Sequence, residues 1–336
     1  MNDLLILGEH DVRSLLTMPE CIEVMDDILR RLALGEGHQP LRNLMRPPDA
    51  AGFLGLMPSF VASPEPYFGL KAVCVFPGNP ARGLDSHLGG VLLYSGETGQ
   101  LLAVMNASAI TAIRTAAVTA VATRALARPE SSVLAIIGAG VQAAAHLEAM
   151  AGILRLAEVR VAGLDRGRLE RFVARATKQY SAFSTMAAAS VEEAVRDADV
   201  VVTVTSSREP VLKRPWIADG AHINLVGSSV PAAREADGAT MAAGRLFVDR
   251  RESTINESGD YLMALAEGAI GPDHIAGEVG EVLLGELEGR RSPDEITIFK
   301  SLGLAIEDLA AARHLYRKAR ELGRGTAVRF DAAIES

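Results

Sequence analysis

The run VLAIIGAGVQA, from Val133 to Ala143, tells more about this 336-residue chain than any other stretch. Its first half is apolar and rich in β-branched residues, which predicts a buried strand, and its end opens an alanine-rich helix. Gly138 and Gly140 let the backbone turn tightly and approach phosphate oxygens, while the helix starting near Val141 directs free N–H groups at the same anion. Ala143 fills the third position of the pattern as a small packing residue. The run therefore predicts a dinucleotide site, although glycines can also serve only to turn the chain.

Further strands are predicted downstream, at residues 158–162, 197–207 and 222–228, with helical stretches between them. All are short, apolar and rich in β-branched residues, as expected for strands that are buried on both faces. Strand and helix in alternation predict a doubly wound α/β domain of the Rossmann type.

The segment after the second strand bears on the choice of cofactor. Asp165 is the first charged residue there, and a carboxylate at this place accepts hydrogen bonds from ribose hydroxyls, which favours NAD. Arg166 and Arg168 follow directly and would attract the 2′-phosphate of NADP. All three can also be solvated turn residues, so the sequence leans to NAD and leaves NADP open.

Composition narrows the class of protein. A net charge of −8 without a block of lysine or arginine argues against nucleic acid or a membrane surface as partner. Cys21 and Cys74 lie far apart in apolar settings, which indicates reduced thiols, no metal site and a cytoplasmic location. The N-terminus lacks the basic start and long apolar core of a signal peptide, and no segment is expected to span a bilayer.

The chain length and a change of texture near Arg128 predict two domains. Residues 1–128 contain a helix over 18–34, proline- and glycine-punctuated strands and a hairpin turning at 95–99, which predict a smaller α+β domain. A long alanine-rich helix over 108–128 leads to residues 129–305, the Rossmann domain. The last helix, from about residue 306, is expected to pack back on the first domain.

Seven segments together resemble the ornithine cyclodeaminase and mu-crystallin family. They are PLRNLMRP, GFLGLMP, GLKAVCVFPGNPARGLDSH, SAITAIRTAAVTAVATRAL, IIGAGVQA, HINLVGSSVPAAREAD and FKSLGLAIEDLAAA. The resemblance covers nearly the whole chain. It implies a homodimer in which each subunit joins a substrate-binding and dimerisation domain to the Rossmann domain, with the chemistry in the cleft between them.

The resemblance assigns Arg42 and Lys71 to the substrate carboxylate, and Arg114 to both substrate and cofactor phosphate. Lys71 stands inside the apolar run GLKAVCV, where an unpartnered ammonium would cost several kcal/mol, so it reaches water or holds an anion. Arg114 lies on an apolar helix face, and its fork suits a carboxylate or phosphate. A structural ion pair is the alternative for each residue, and Arg46 is a rival to Arg42.

Ser229 marks a departure from the cyclodeaminases, which resemble this chain around VGSSVP but carry a catalytic aspartate at its position. Cyclodeamination needs proton transfer at several steps, and a serine hydroxyl cannot perform it unaided. Ser229 is therefore assigned to contact substrate or nicotinamide, with helix capping as the alternative. His87 is the candidate proton relay, or else a strand-end histidine bonded to backbone, and His222 is expected to be structural.

These observations predict an NAD(P)-dependent ketimine reductase or amino-acid dehydrogenase that acts on a small α-imino or α-amino acid. A redox-neutral lyase of the same family, either a cyclodeaminase or a hydroxyproline dehydratase, and a non-catalytic small-ligand carrier remain alternatives. The residues assigned to the cofactor are Arg114, Gly138, Gly140, Val141, Gln142, Asp165, Thr205, Ser206, Arg234 and Ser301.

Overall fold

The computed structural model describes residues 3–62 and 65–330. Within these ranges the strands are β1 (Leu4–Leu7), β2 (Gly37–His38), β3 (Asn43–Met45), β4 (Phe53–Val61), β5 (Tyr67–Val75), β6 (His87–Ser95), β7 (Leu101–Asn106), β8 (Val133–Ile137), β9 (Glu158–Ala162), β10 (Ser184–Ala187), β11 (Val200–Thr203), β12 (His222–Leu225), β13 (Arg245–Val248), β14 (Ile275–Glu278), β15 (Thr297–Lys300) and β16 (Thr326–Val328). The α-helices are α1 (Glu9–Leu15), α2 (Met18–Ala33), α3 (Ala107–Leu126), α4 (Val141–Ile153), α5 (Arg166–Gln179), α6 (Val191–Val195), α7 (Gly238–Ala243), α8 (Arg251–Glu257), α9 (Gly259–Ala266), α10 (Val279–Leu284) and α11 (Ala305–Leu322).

The chain divides into two compact units. Unit 1 comprises residues 1–114 and 304–336, and unit 2 comprises residues 115–303. The division falls at Arg114, inside α3, whereas the sequence placed a domain boundary near Arg128, after this helix. A continuous helix gives no sequence signal at the residue where its packing partners change, which explains the difference.

Unit 1 is built on a mostly antiparallel sheet. Its strand order is β16-β1-β7-β6-β5-β4-β2, with β3 paired to β4, and only β1 and β7 run parallel. The hairpin predicted around residues 95–99 joins β6 to β7. Helix α11 packs on β4, β5 and β6, and it comes so close to β5 that a Cβ at Gly69 would lie 2.8 Å from Leu309 Cδ1.

Unit 2 contains an eight-stranded, entirely parallel sheet in the order β10-β9-β8-β11-β12-β15-β13-β14. Its central strands are buried throughout. Fully buried side chains on these strands include Leu134, Ile136, Val201, Ile223 and Ile298. The predicted doubly wound α/β fold is therefore confirmed. The sequence analysis missed four strands of this sheet, β10, β13, β14 and β15, each of four residues.

Two predicted strands are shorter than expected, although both exist. The strand expected at 197–207 is limited to β11, because Asp197 has φ of +55° and Asp199 accepts hydrogen bonds from the backbone of Ser132 and Val133. Beyond the strand, Thr205 turns aside to donate its N–H to Glu235. The strand expected at 222–228 likewise ends at Leu225. Hydrophobic runs therefore overestimated these strands by including their turns.

Helix α3 corrects one expectation about membranes. It has 20 residues with a mean hydropathy of 1.2 in its most apolar window, so by length and composition it could cross a bilayer, contrary to the reading of the sequence. Yet 83% of that window is buried inside the protein, as in the core helix of a folded domain.

Candidate functional site

The glycine turn lies at the carboxyl end of β8 in unit 2. The sheet continues to β9 and β10 on one side of β8 and to β11 on the other, so this is the switch point at which open α/β sheets bind ligands. Gly138 has φ of +125°, and a Cβ there would lie 2.8 Å from the carbonyl oxygen of Val204. Only glycine fits this turn without displacing backbone.

The N-terminus of α4 follows the turn and faces open space. Gly140 is the N-cap residue and makes no side-chain capping hydrogen bond, and a Cβ on it would meet nothing within 4 Å. Val141, in the first turn, is 60% exposed. The first backbone N–H groups of this 13-residue helix are therefore available to an anion, together with the positive end of the helix dipole.

Two buried polar atoms assigned to the cofactor have no hydrogen-bond partner among the residues that the structure describes. They are Oε1 of Gln142, in the first turn of α4, and Oγ of Ser301, directly after β15. Buried polar atoms are normally satisfied, so unmatched ones at the carboxyl end of the sheet are what a bound polar ligand would complete. The turn, the helix terminus and these atoms fit a dinucleotide.

Asp165 has a structural role in the fold. It is the N-cap of α5, where its side chain accepts a hydrogen bond from the N–H of Arg168 at 2.9 Å, and this bond lowers the pKa of the carboxyl. This capping role is one that the sequence analysis did not consider for Asp165. Its contact with a ribose stays a prediction.

The other residues assigned to the cofactor lie in turns of unit 2, except Arg114, which belongs to unit 1. Thr205 and the exposed Ser206 follow β11. Arg234 lies 2.6 Å from Glu267 in an ion pair, so its charge already has a partner. Their contacts with a cofactor stay predictions.

The turns at this edge are held by buried Glu235, which the sequence analysis missed. One carboxylate oxygen accepts hydrogen bonds from the N–H and hydroxyl of Thr205, at 2.7 and 2.8 Å. The other accepts from the Thr203 hydroxyl at 2.7 Å and from the N–H of Gly227 at 2.6 Å. Burial raises the pKa of Glu235, whereas the charge of Lys300 and the hydrogen bonds from Thr205 and Thr203 oppose this effect.

A second buried pair supports the same turns. Lys300 Nζ lies 3.1 Å from Asp260 Oδ2 and donates hydrogen bonds to the carbonyl oxygens of Leu225 and Ser228, at 3.1 and 2.5 Å. Asp260 in turn accepts hydrogen bonds from the backbone N–H of Glu235. Lys300 and Asp260 are both 0% exposed. Buried charged side chains thus hold the backbone near Ser228 and Thr205 through hydrogen bonds.

Unit 1 holds the two central residues assigned to the substrate. Lys71, on β5, and Arg114, on α3, are 5% and 4% exposed. Lys71 Nζ lies 3.1 and 3.2 Å from the two carboxylate oxygens of Asp308. Arg114 Nε lies 3.2 Å from the same Asp308, and Arg114 NH1 donates to Glu307 at 2.5 Å. The ion pairs that the sequence allowed as an alternative are present.

The electrostatic setting of Lys71 is unusual for a lysine. Burial is the main cause that lowers its pKa to about 8, and the positive charges of Arg114 and Arg42 act in the same direction. Asp308 opposes them through its charge and its hydrogen bonds. Lys71 is therefore poised to exchange its proton slightly above neutral pH.

Arg42 and His87 belong to the same electrostatic group. The charge of Arg42 acts on Lys71, whereas its rival Arg46 stacks on the ring of Phe53 at 4.5 Å. Desolvation lowers the pKa of His87, the charge of Lys71 adds to this effect and Asp85 opposes it. The structure therefore brings Arg42, His87 and Arg114 within electrostatic reach of Lys71.

The histidine and serine assignments on the nucleotide side have different outcomes. His222 is fully buried, contacts Thr297 and Asn224, and has a pKa lowered to about 3, mainly by burial, as expected for a structural residue. Ser228 is buried and donates its hydroxyl to the carbonyl of Ala233. Ser229 is half-buried in the turn after β12, and its contact with substrate or nicotinamide stays a prediction.

The sequence analysis did not single out Glu307 and Asp308, which form ion pairs with Lys71 and Arg114. Both are in the first turn of α11, where acidic residues commonly complement the helix dipole. That ordinary role hid them, although the Glu-Asp pair stands in an otherwise apolar run, GLAIEDLA. A buried acidic pair in such a run is the signal that could have found them.

The similarity to known proteins extends over both units. The model of the ornithine cyclodeaminase/mu-crystallin family matches residues 2–323. Ketimine reductase mu-crystallin from Mus musculus is 41% identical over 278 residues, which are 83% of this chain and 84% of that protein.

Two solved structures cover almost the whole chain. Δ1-pyrroline-2-carboxylate reductase from Thermococcus litoralis, in complex with NADH and L-proline, has a TM-score of 0.93 and 38% identity and covers 97% of this chain and 100% of that one. An archaeal alanine dehydrogenase dimer with bound NAD has a TM-score of 0.92 and 35% identity, over 98% and 100% of the two chains.

Proposed function

The chain belongs to the ornithine cyclodeaminase/mu-crystallin family, and from this premise we propose that it is an NAD(P)-dependent oxidoreductase of carbon–nitrogen bonds. Its substrate is a small α-imino or α-amino acid, and reduction of a ketimine to the amine is its favoured direction. The relatives that support this proposal are a ketimine reductase, a pyrroline-2-carboxylate reductase and an alanine dehydrogenase.

The observation that carries the proposal is the buried cation pair of Lys71 and Arg114. Both side chains are buried and share the carboxylate of Asp308. Lysine and arginine bind carboxylates through charge-assisted hydrogen bonds, so the pair favours a ligand that carries a carboxylate.

The residues of this chain bind and orient in the proposed reaction. Lys71 and Arg114 hold the carboxylate, and the Gly138 turn with the N-terminus of α4 holds the cofactor diphosphate. The reduced nicotinamide, when bound, supplies a hydride to the carbon of the protonated imine, which becomes a neutral amine. That amine then takes up one proton, and we assign His87 to this exchange and Ser229 to a contact with the substrate or the nicotinamide. Orientation and charge stabilisation are thus the main tasks of the protein.

For the cofactor we propose NAD(H) over NADP(H). Asp165 stands at the end of β9, where a carboxylate suits free ribose hydroxyls and repels a 2′-phosphate. Its helix-capping bond from the N–H of Arg168 is made to Oδ1. The two solved relatives contain NADH and NAD.

We also propose that the protein is a homodimer joined through the sheet of unit 1. The residues of β5 that alternate with Lys71 point away from α11, and Phe68 among them is 49% exposed. On the neighbouring strand, Leu88 is 41% exposed, and Leu92 and Tyr94 pair with β5 on the same face. A second copy would cover this apolar face, as fits the dimeric relative. Light scattering should show a dimer, and Phe68→Asp should give a monomer.

The proposed activity is tested by following nicotinamide absorbance while the purified protein meets cyclic imines, or pyruvate with ammonia or methylamine. Oxidation of NADH, at a higher rate than that of NADPH, supports the proposed reductase activity and the proposed preference for NAD(H). No oxidation of either, combined with consumption of L-ornithine or hydroxyproline, would instead establish the lyase alternative, in which no net redox change occurs. Binding without any turnover would establish the carrier alternative.

A further inference from the structure

Asp308 stands between the two substrate cations. Its two carboxylate oxygens lie 3.1 and 3.2 Å from Lys71 Nζ, and one of them also lies 3.2 Å from Arg114 Nε. Asp308 is 1% exposed, so these contacts are made away from water. An ammonium has three N–H donors, and two of those of Lys71 point at Asp308. Among the described residues Lys71 Nζ has no other hydrogen-bond partner, so its third N–H can bond to a ligand.

The charges around Lys71 come from several elements. Arg114 on α3 and Arg42 before β3 are positive, and His87 on β6 lies close enough to feel the charge of Lys71. On α11, Glu307 is bonded to Arg114, which leaves Asp308 as the carboxylate that contacts Lys71 directly. Burial and the neighbouring arginines favour loss of the lysine proton, and Asp308 works against that loss.

We propose that Asp308 is a positioning residue that keeps the Lys71 ammonium charged and aims its remaining N–H at the substrate carboxylate. This inference rests on the proposed function, because it assigns Lys71 to that carboxylate. Glu307 orients Arg114, because it accepts a hydrogen bond from NH1 of the guanidinium. The first turn of α11 thereby prepares the anion site before a substrate arrives.

The activity should depend on pH through the protonation of Lys71. Lys71 holds an anion only while protonated, so kcat/KM should fall as pH rises through its pKa of about 8. Without the charge of Asp308, the pKa of Lys71 drops further, and the fall should occur about 1–3 pH units lower. A residue that merely supports the fold would lower activity equally at every pH.

The test compares wild type with Asp308→Asn, which keeps the shape of the side chain and removes its charge. Glu20→Gln is the matched control, because Glu20 pairs with Lys318 in the same unit, at 2.6 Å, without touching Lys71. The expected result is an alkaline limb of kcat/KM displaced to lower pH in D308N and unchanged in E20Q. An unmoved limb in an active, folded D308N would overturn the proposal.

Two further measurements do not depend on turnover. Calorimetric titration with L-proline in the presence of NADH should show the same displacement in the pH at which binding is lost. A double-mutant cycle of Lys71→Met and Asp308→Asn on thermal unfolding should give a coupling that is large below pH 8 and vanishes well above it. If D308N fails to fold, Asp308→Glu should restore the wild-type limb with a raised KM. Absence of turnover in wild type refutes the proposed function, whereas absence of coupling in the cycle refutes the role of Asp308.

Discussion

Both units bury ionised side chains, but they use them differently. In unit 1 the carboxylates of Glu307 and Asp308 meet the side chains of Lys71 and Arg114. In unit 2 the carboxylates of Glu235 and Asp260 mostly accept backbone N–H groups of neighbouring turns. Charges paired with side chains can be shared with a ligand, whereas charges bonded to backbone fix the chain itself. This difference supports the proposal that the first cluster binds the substrate, while the second holds the turns at the proposed cofactor site.

The strongest test of this comparison removes the ammonium from unit 1. Lys71→Met nearly keeps the length of the side chain and should weaken binding of the imino or amino acid substrate by about 2–5 kcal/mol. The reason is that Asp308 loses the ammonium that it contacts and the substrate carboxylate loses one of its two cations. Steady-state kinetics should show the loss in kcat/KM for the substrate. Affinity for NADH, measured by fluorescence quenching, is expected to stay near that of wild type. Equal loss for both ligands would contradict the division of labour between the units.

The corresponding change in unit 2 is Glu235→Gln. The amide keeps one acceptor oxygen but turns an NH₂ group toward donors such as the N–H of Gly227. Each unsatisfied buried group costs about 1–3 kcal/mol, so Tm should fall and NADH affinity with it. Calorimetry and NADH titration measure the two effects. If the substrate KM rose while Tm and NADH affinity did not change, Glu235 would belong with the binding cluster and the comparison would fail.

Two alanine variants in the glycine turn distinguish backbone strain from contact with the cofactor. Gly138→Ala places a Cβ against the carbonyl of Val204 at a φ of +125°, which should cost about 1–3 kcal/mol of stability as well as NADH affinity. Gly140→Ala is the matched control, because its Cβ would meet open space and its φ is negative. Tm should hold in G140A, and only NADH affinity should fall. A full-affinity G140A would mean that no diphosphate passes over this turn.

The smallest expected effect concerns the choice of nicotinamide cofactor. Asp165→Ser retains a side-chain oxygen to cap α5 and removes the carboxylate. NADPH should gain relative to NADH in kcat/KM, since repulsion of a 2′-phosphate is relieved and Arg166 and Arg168 remain nearby. An unchanged ratio would show that Asp165 serves only as a cap.

The sequence anticipated the architecture well wherever the signal was local. The glycine turn, helix α4 and strand β9 lie where predicted, because alternation of apolar strand, turn and helix is readable within 30 residues. Lys71 also stood out, because a charge inside an apolar strand demands a partner. Strands β13, β14 and β15 were not predicted; each has four residues, and none was recognised within a longer apolar run, unlike the equally short β11 and β12.

By itself, then, the sequence determined a parallel sheet with a glycine turn at its switch point and a lysine that had to reach water or hold an anion. Which anion holds it in the free protein was decided by tertiary structure alone, because Lys71 and Asp308 are 237 positions apart. The same is true of Glu235, whose four donors come from two different turns. Contacts between distant residues leave no periodic trace, and only the folded chain brings such charges together.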